Sequence, residues 1–143
     1  MSDFRTIFAS IALTAALVSA GPALAEKMTM KATLNGASEV PANDSKGTGS
    51  AEIGFDTASK ALTWKVTYSG LSGPATAAHF HGPAEPGKNA GVAVPIANIA
   101  TSPAQGTATL TDAQAADLMA GKYYVNVHTA ANPAGEIRGQ VTK

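Results

Sequence analysis

The sequence predicts an all-β fold: an antiparallel Greek-key β-sandwich or barrel of about eight strands, with one short helix at about 112–120. Three observations predict it. Charged residues are sparse at 14% of the chain while Gly, Ala, Thr and Val abound. Short runs of alternating apolar and polar residues recur, separated by Gly- and Pro-rich turns. Sustained helical periodicity is confined to one stretch.

The elements follow in order. Residues 28–34 alternate and predict a first strand. Residues 36–47 form a polar loop holding Pro41, Asn43 and Asp44. Residues 48–55 predict a second strand and 56–60 a hairpin turn. Residues 61–68 carry the clearest strand pattern: Leu62, Trp64, Val66 and Tyr68 share one face and are the expected core anchors, opposite Thr63, Lys65 and Thr67. Residues 70–74 break the pattern. Residues 75–81 predict a fourth strand, 82–87 a rigid loop continuing through Asn89, and 91–96 a fifth strand in which Pro95 marks an edge or end. Residues 107–110 predict a sixth strand. Thr111-Asp112-Ala113-Gln114 is a capping box that opens the helix, and Gly121 ends it. Residues 122–128 and 135–141 predict the last two strands, with Ile137 inward, around a turn at 130–134.

Residues 1–25 read as a secretory signal peptide. Arg5 precedes an apolar run from about Ile7 to Ala20, and Ala23-Leu24-Ala25 gives the small-x-small cleavage pattern. The run is shorter than the roughly 20 residues a membrane span needs. The expectation is cleavage after Ala25, a periplasmic or secreted location, no membrane insertion afterwards, and a single domain over 26–143. Lys plus Arg and Asp plus Glu both number 10, so no long-range field favours nucleic acid. The chain has no cysteine, which excludes disulfides, thiolate metal sites and a cysteine nucleophile. No Gly-x-Ser-x-Gly elbow, His-Glu-x-x-His helix or phosphate loop is present.

The three histidines fall in two short segments. His79 and His81, two apart on the fourth strand, share a face, and Phe80 takes the core side. On the seventh strand Val125 and Val127 point inward with Tyr123, and Tyr124, Asn126 and His128 point outward or beneath a covering loop. If these strands are neighbours, three imidazoles converge, and neutral imidazole suits copper or zinc. Copper is the expected ion, with zinc the alternative. Tyr124 and Asn126 flank His128 on its face and are expected to orient it. Glu136 and Arg138 are further candidates to support the metal-binding histidines from behind, and between themselves they are expected to form a cross-strand ion pair or to bond the Asn132 turn. Glu39, Glu85 and Glu136 are oxygen-ligand candidates. Met28 and Met30 offer thioethers, although strand residues are the default for both. Asn43-Asp44-Ser45 fits a glycosylation sequon.

The same residues carry a family resemblance. Glu39-Val40-Pro41, Gly47-Thr48-Gly49, Gly70-Leu71-Ser72-Gly73, Ala78-His79-Phe80-His81-Gly82-Pro83, Tyr124-Val125-Asn126-Val127-His128-Thr129 and Asn132-Pro133-Ala134-Gly135-Glu136-Ile137-Arg138-Gly139-Gln140 resemble the CHRD domain, first named in chordin. The resemblance implies an exported β-sandwich module. In chordin such modules belong to a growth-factor-binding protein, so a protein partner is an alternative to metal, with 36–47 and 82–91 as contact loops and the histidines structural. A second pattern, His-x-His followed by a late Val-x-Val-His strand, resembles copper/zinc superoxide dismutase, where such histidines bind copper. This chain lacks that family's bridging histidine, zinc loop and cysteine pair. The likeness thus implies a copper site for His79, His81 and His128 and not the dismutase reaction. A metal-binding protein with no assigned catalytic residue is the resulting expectation, with copper-dependent redox turnover as a further alternative.

Overall fold

The computed structural model describes Gly21 and residues 24–143, so the expected signal peptide lies almost wholly outside the described residues. Eight strands form: β1 (Lys27–Asn35), β2 (Thr48–Asp56), β3 (Ala61–Ser69), β4 (Ala75–His81), β5 (Val92–Pro95), β6 (Ala104–Thr109), β7 (Tyr124–Thr129) and β8 (Ile137–Gln140). Among the described residues one α-helix, α1 (Asp112–Met119), lies between β6 and β7, and a single 3-10 turn, Gly36–Ser38, opens the loop after β1.

All strands join one antiparallel sheet in the order β5-β4-β7-β8-β1-β2-β3-β6, curled into a nearly closed barrel. Three connections, β3 to β4, β5 to β6 and β6 to β7, cross between the two halves of this order. They give the Greek-key character that the sequence predicts. Alternation explains the curl. Met30, Ala32 and Leu34 of β1, Ala51, Ile53 and Phe55 of β2, Leu62, Trp64 and Val66 of β3, Ala78 and Phe80 of β4, and Val125 and Val127 of β7 all turn inward. Each large apolar side chain buried this way stabilises the fold by roughly 1.5–3 kcal/mol. Trp64 and Phe80 sit on strands far apart in the sheet order, yet their rings meet edge to face with centroids 5.4 Å apart. Met30 is a core residue and Met28 packs at the core's margin, so neither is a free thioether.

The sixth strand differs from expectation. It starts at Ala104, and Leu110 lies beyond it, buried. Gly106, within this earlier start, pairs with Trp64, and a Cβ there would strike the indole. The glycine is where the tryptophan ring lies. The helix begins at its predicted box, with Thr111 and Gln114 capping each other, and closes one residue earlier than predicted. Its Gln114 side chain also donates to the Ala93 carbonyl of β5 at 3.2 Å. The Tyr68 hydroxyl of β3 donates to the Ile99 carbonyl, in the connection after β5, at 2.6 Å. Two four-stranded halves meet at β8–β1. That seam carries one paired position, Asn35 with Arg138, and one isolated bridge, Lys31 with Thr142.

Candidate metal centre

β4 and β7 are neighbours, and their register sets the histidines. His79 pairs with Asn126, His81 with Tyr124, and Ala77 with His128. His128 therefore lies diagonal to His79 on the same face, within reach of a long side chain. One ring nitrogen from each of His79, His81 and His128 lies within 4.8 Å of the others, close enough to hold a metal ion together. His79 Nδ1 and His128 Nε2 are 3.1 Å apart. His81 is nearly buried and the other two are half-buried.

Backbone carbonyls set the tautomers. His128 Nδ1 donates to the Pro133 carbonyl at 2.9 Å and His81 Nδ1 donates to the Ala90 carbonyl at 2.9 Å. A carbonyl only accepts, so in each neutral ring the lone pair is left on Nε2. This is the arrangement by which metal-binding histidines are oriented. Burial, and then the neighbouring His128, lower the His79 pKa. Burial also lowers that of His81, against hydrogen bonds to the Ala90 carbonyl and the Asn126 side-chain oxygen that raise it. Both shifts favour the neutral, ligating form.

The outer face of β7 is covered, which is why Tyr124 and Asn126 are buried. The loop 82–91 covers Tyr124, while Glu39 and Gly135 lie against Asn126. Tyr124 stacks on His81, with centroids 4.8 Å apart and planes 4° from parallel. The Arg138 guanidinium lies over the other face of this region, 3.4 Å from the Tyr124 centroid. Arg138 also donates to Asn89 Oδ1 at 2.8 Å and to the Lys88 carbonyl, and Asn89 donates to the Val40 carbonyl at 3.0 Å. Asn126 faces His81 Nε2 at 3.0 Å.

The three carboxylate candidates are not brought to the histidines. Glu85 is exposed and its nearest cation is Lys122 at 3.9 Å. Glu136 and Arg138 do not form the expected exposed pair, because both side chains are buried under the long loops. Glu136 instead accepts from Ser45 Oγ at 2.6 Å, Ser72 N at 2.8 Å, Ser72 Oγ at 2.7 Å and Thr129 Oγ1 at 2.5 Å. Burial alone would raise its pKa, but these donors outweigh burial and bring it down to about 2. Asn43, of the sequon, turns inward and donates to the Glu136 carbonyl at 3.0 Å. Glu39 is buried behind Asn126, beside Arg138.

A family model for the CHRD domain matches residues 30–141. The chain belongs to the CHRD domain family. No curated protein and no solved structure matches it. In this CHRD domain the matched span takes in all of β2 to β8, most of β1 and all three histidines, so the candidate centre is part of the domain itself and not an appendage.

Sequence reasoning missed the roles of Ser45, Ser72, Thr129 and Asn89. One signal could have found them. The loops 36–47 and 82–91 are too long for hairpins, so they must pack back on the sheet, and polar side chains beneath them need partners.

Proposed function

We propose that this protein is an exported CHRD domain that binds copper through His79, His81 and His128. The observation that carries the reading is the approach of His79 Nδ1 to His128 Nε2, 3.1 Å, with the Pro133 carbonyl leaving the His128 lone pair directed at that point. For imidazole–metal bonds of roughly 2.0–2.1 Å, two donors at this spacing subtend about 100° at the ion. That lies between the right angle of tetragonal Cu(II) and the wider tetrahedral angle of structural zinc. An all-imidazole set without thiolate or carboxylate also suits copper. The leader-like residues 1–25 support export to an oxidising compartment. His79 and His128 stay half-exposed, which leaves a side of the centre open to water or a further ligand.

Titration of the metal-free protein with Cu(II), followed by the d–d absorption and by competition with a chelator, tests the reading. One equivalent should bind the wild type. His79→Ala and His128→Ala should each weaken binding at least a hundredfold, because two of three nitrogens cannot hold the ion as three do. Equal, weak binding by all three proteins would end the proposal.

A further inference from the structure

The hydrogen bonds behind His81 carry a second conclusion, which rests on the metal reading. With its proton on Nδ1 for the Ala90 carbonyl, His81 turns an Nε2 lone pair to the side-chain amide of Asn126, whose Oδ1 stands 3.0 Å away before any half-turn of the amide. Only an amide N–H satisfies a lone pair. The oxygen and nitrogen of an asparagine side chain exchange places by a half-turn about its last bond. That half-turn sends the Asn126 oxygen away from His81 and toward Glu39.

Glu39 is 7% exposed, and its Oε1 is buried with no hydrogen-bond partner. Oε1 and the outward nitrogen of Asn126 crowd the same point, the place a Cβ on Gly135 would occupy. Two oxygens brought together there need one proton between them. A protonated Glu39 supplies it, and the line Glu39–Asn126–His81–Ala90 is then satisfied at every atom. When Glu39 is ionised, the amide turns its nitrogen to the carboxylate, and the His81 lone pair loses its donor.

We propose that Asn126 and Glu39 form a proton-operated latch on His81, holding the lone pair needed for metal when Glu39 is protonated and freeing it when Glu39 is ionised. The groups that face Glu39 are few. β8 brings the Arg138 guanidinium and β7 brings Asn126. The Val40 N–H approaches from its own loop. The turn at Gly135 brings no charge, and Glu136 next to it is committed to Ser45, Ser72 and Thr129. From the loop 82–91, Pro86 and Gly87 share a cavity with Glu39, and Lys88 is exposed. Burial pushes Glu39 up to about 7, against the lowering pull of Arg138. Surface cavities of about 240 Å³ and 210 Å³ border Glu39 on two sides and give protons a path.

Zn(II), which is redox-silent, is the probe. Affinities are measured by chelator competition at pH 6 and pH 8 for the wild type, Asn126→Ala and Glu39→Gln. A lost latch is one hydrogen bond, so Asn126→Ala should bind about three- to tenfold more tightly than the wild type at pH 6. The wild type should close that difference by pH 8. Glu39→Gln keeps a donor toward Asn126 at both pH values and should stay weaker than the wild type at pH 8. Tenfold weaker binding by Asn126→Ala at pH 6 would make Asn126 a support for the bound ring and overturn the latch. The same pH dependence in all three proteins would also overturn it. Without metal, the Glu39 carboxyl carbon in the wild type should titrate near neutrality, with the Asn126 amide protons moving in step. A Glu39 titrating in the ordinary carboxylate range sinks the latch even if zinc binds, and it decides the matter if Asn126→Ala does not fold. Failure of the wild type to bind zinc or copper at all sinks the metal reading separately.

Discussion

Glu136 shows what one side chain does to this fold. It is fully buried and accepts four hydrogen bonds that tie the loops before β2 and before β4 to the end of β7. Charge-assisted bonds of this kind are the strong ones, and removing their acceptor leaves buried donors unmet. Glu136→Gln should lower unfolding free energy by about 2–4 kcal/mol at pH 7, read from urea denaturation. The pH dependence has a fixed sign. The folded pKa, about 2, lies below the ordinary 4.5, so the stabilisation is complete above 4.5 and fades as pH falls toward 2. The gap between wild type and Glu136→Gln should therefore shrink through that window. A gap that stays constant from pH 7 to pH 2 would contradict the carboxylate's role. At this scale the sequence is half legible. His79, His81 and His128 are legible because period-two alternation fixes their faces. Glu136 and Arg138 are not, since a Glu-x-Arg pair on a strand reads as solvent-facing until the covering loops are known.

At the scale of elements, the loop 82–91 decides how the candidate centre is roofed. Its anchors are the Arg138 bonds to Asn89 and Lys88, the Ala90 bonds to His81 and Tyr124, and the Ala84 N–H to the Lys122 carbonyl at 2.8 Å. The loop leaves β4 at Gly82, packed against the Tyr123 ring. A Cβ at Gly82 would strike that ring and lie 2.7 Å from the Lys122 carbonyl, neither of which yields easily. Gly82→Ala should destabilise the protein by about 1–3 kcal/mol in thermal melts. It should also weaken metal binding, because His81 is the preceding residue. A variant with native stability and native affinity would show that the loop does not position His81. The strands themselves were legible where Leu62, Trp64 and Val66 alternate. Their ends were less so: β8 starts at Ile137, not Gly135, because Gly135 takes φ 132° in the turn before it. β6 reaches back to Ala104 through Gly106, whose partner Trp64 fills the space that a side chain there would need.

The whole molecule hangs on the β8–β1 seam between its two halves. Gly139 sits there against the Thr33 carbonyl and 3.0 Å from Leu34 Cδ2, measured from where a Cβ would stand. Gly139→Ala should push the halves apart and lower stability by about 2–4 kcal/mol. Gly73→Ala, with nothing within 4 Å, is the control and should change it by less than about 0.5 kcal/mol. Equal melting temperatures for both variants would mean that the seam tolerates separation. The strand order could not be read from the sequence, since alternation reports which side of a strand is wet and says nothing of which strand lies beside it. Edge strands β5 and β6 do not stand bare at opposite ends of a flat sheet: the sheet curls into a nearly closed barrel, Gln114 of α1 bonds β5, and Tyr68 of β3 bonds the chain just beyond β5. β5 is four residues long and ends in Pro95. A neighbouring molecule thus finds little template on which to stack, and a crowded solution of this protein should stay dispersed where an open sheet of equal size would grow fibres.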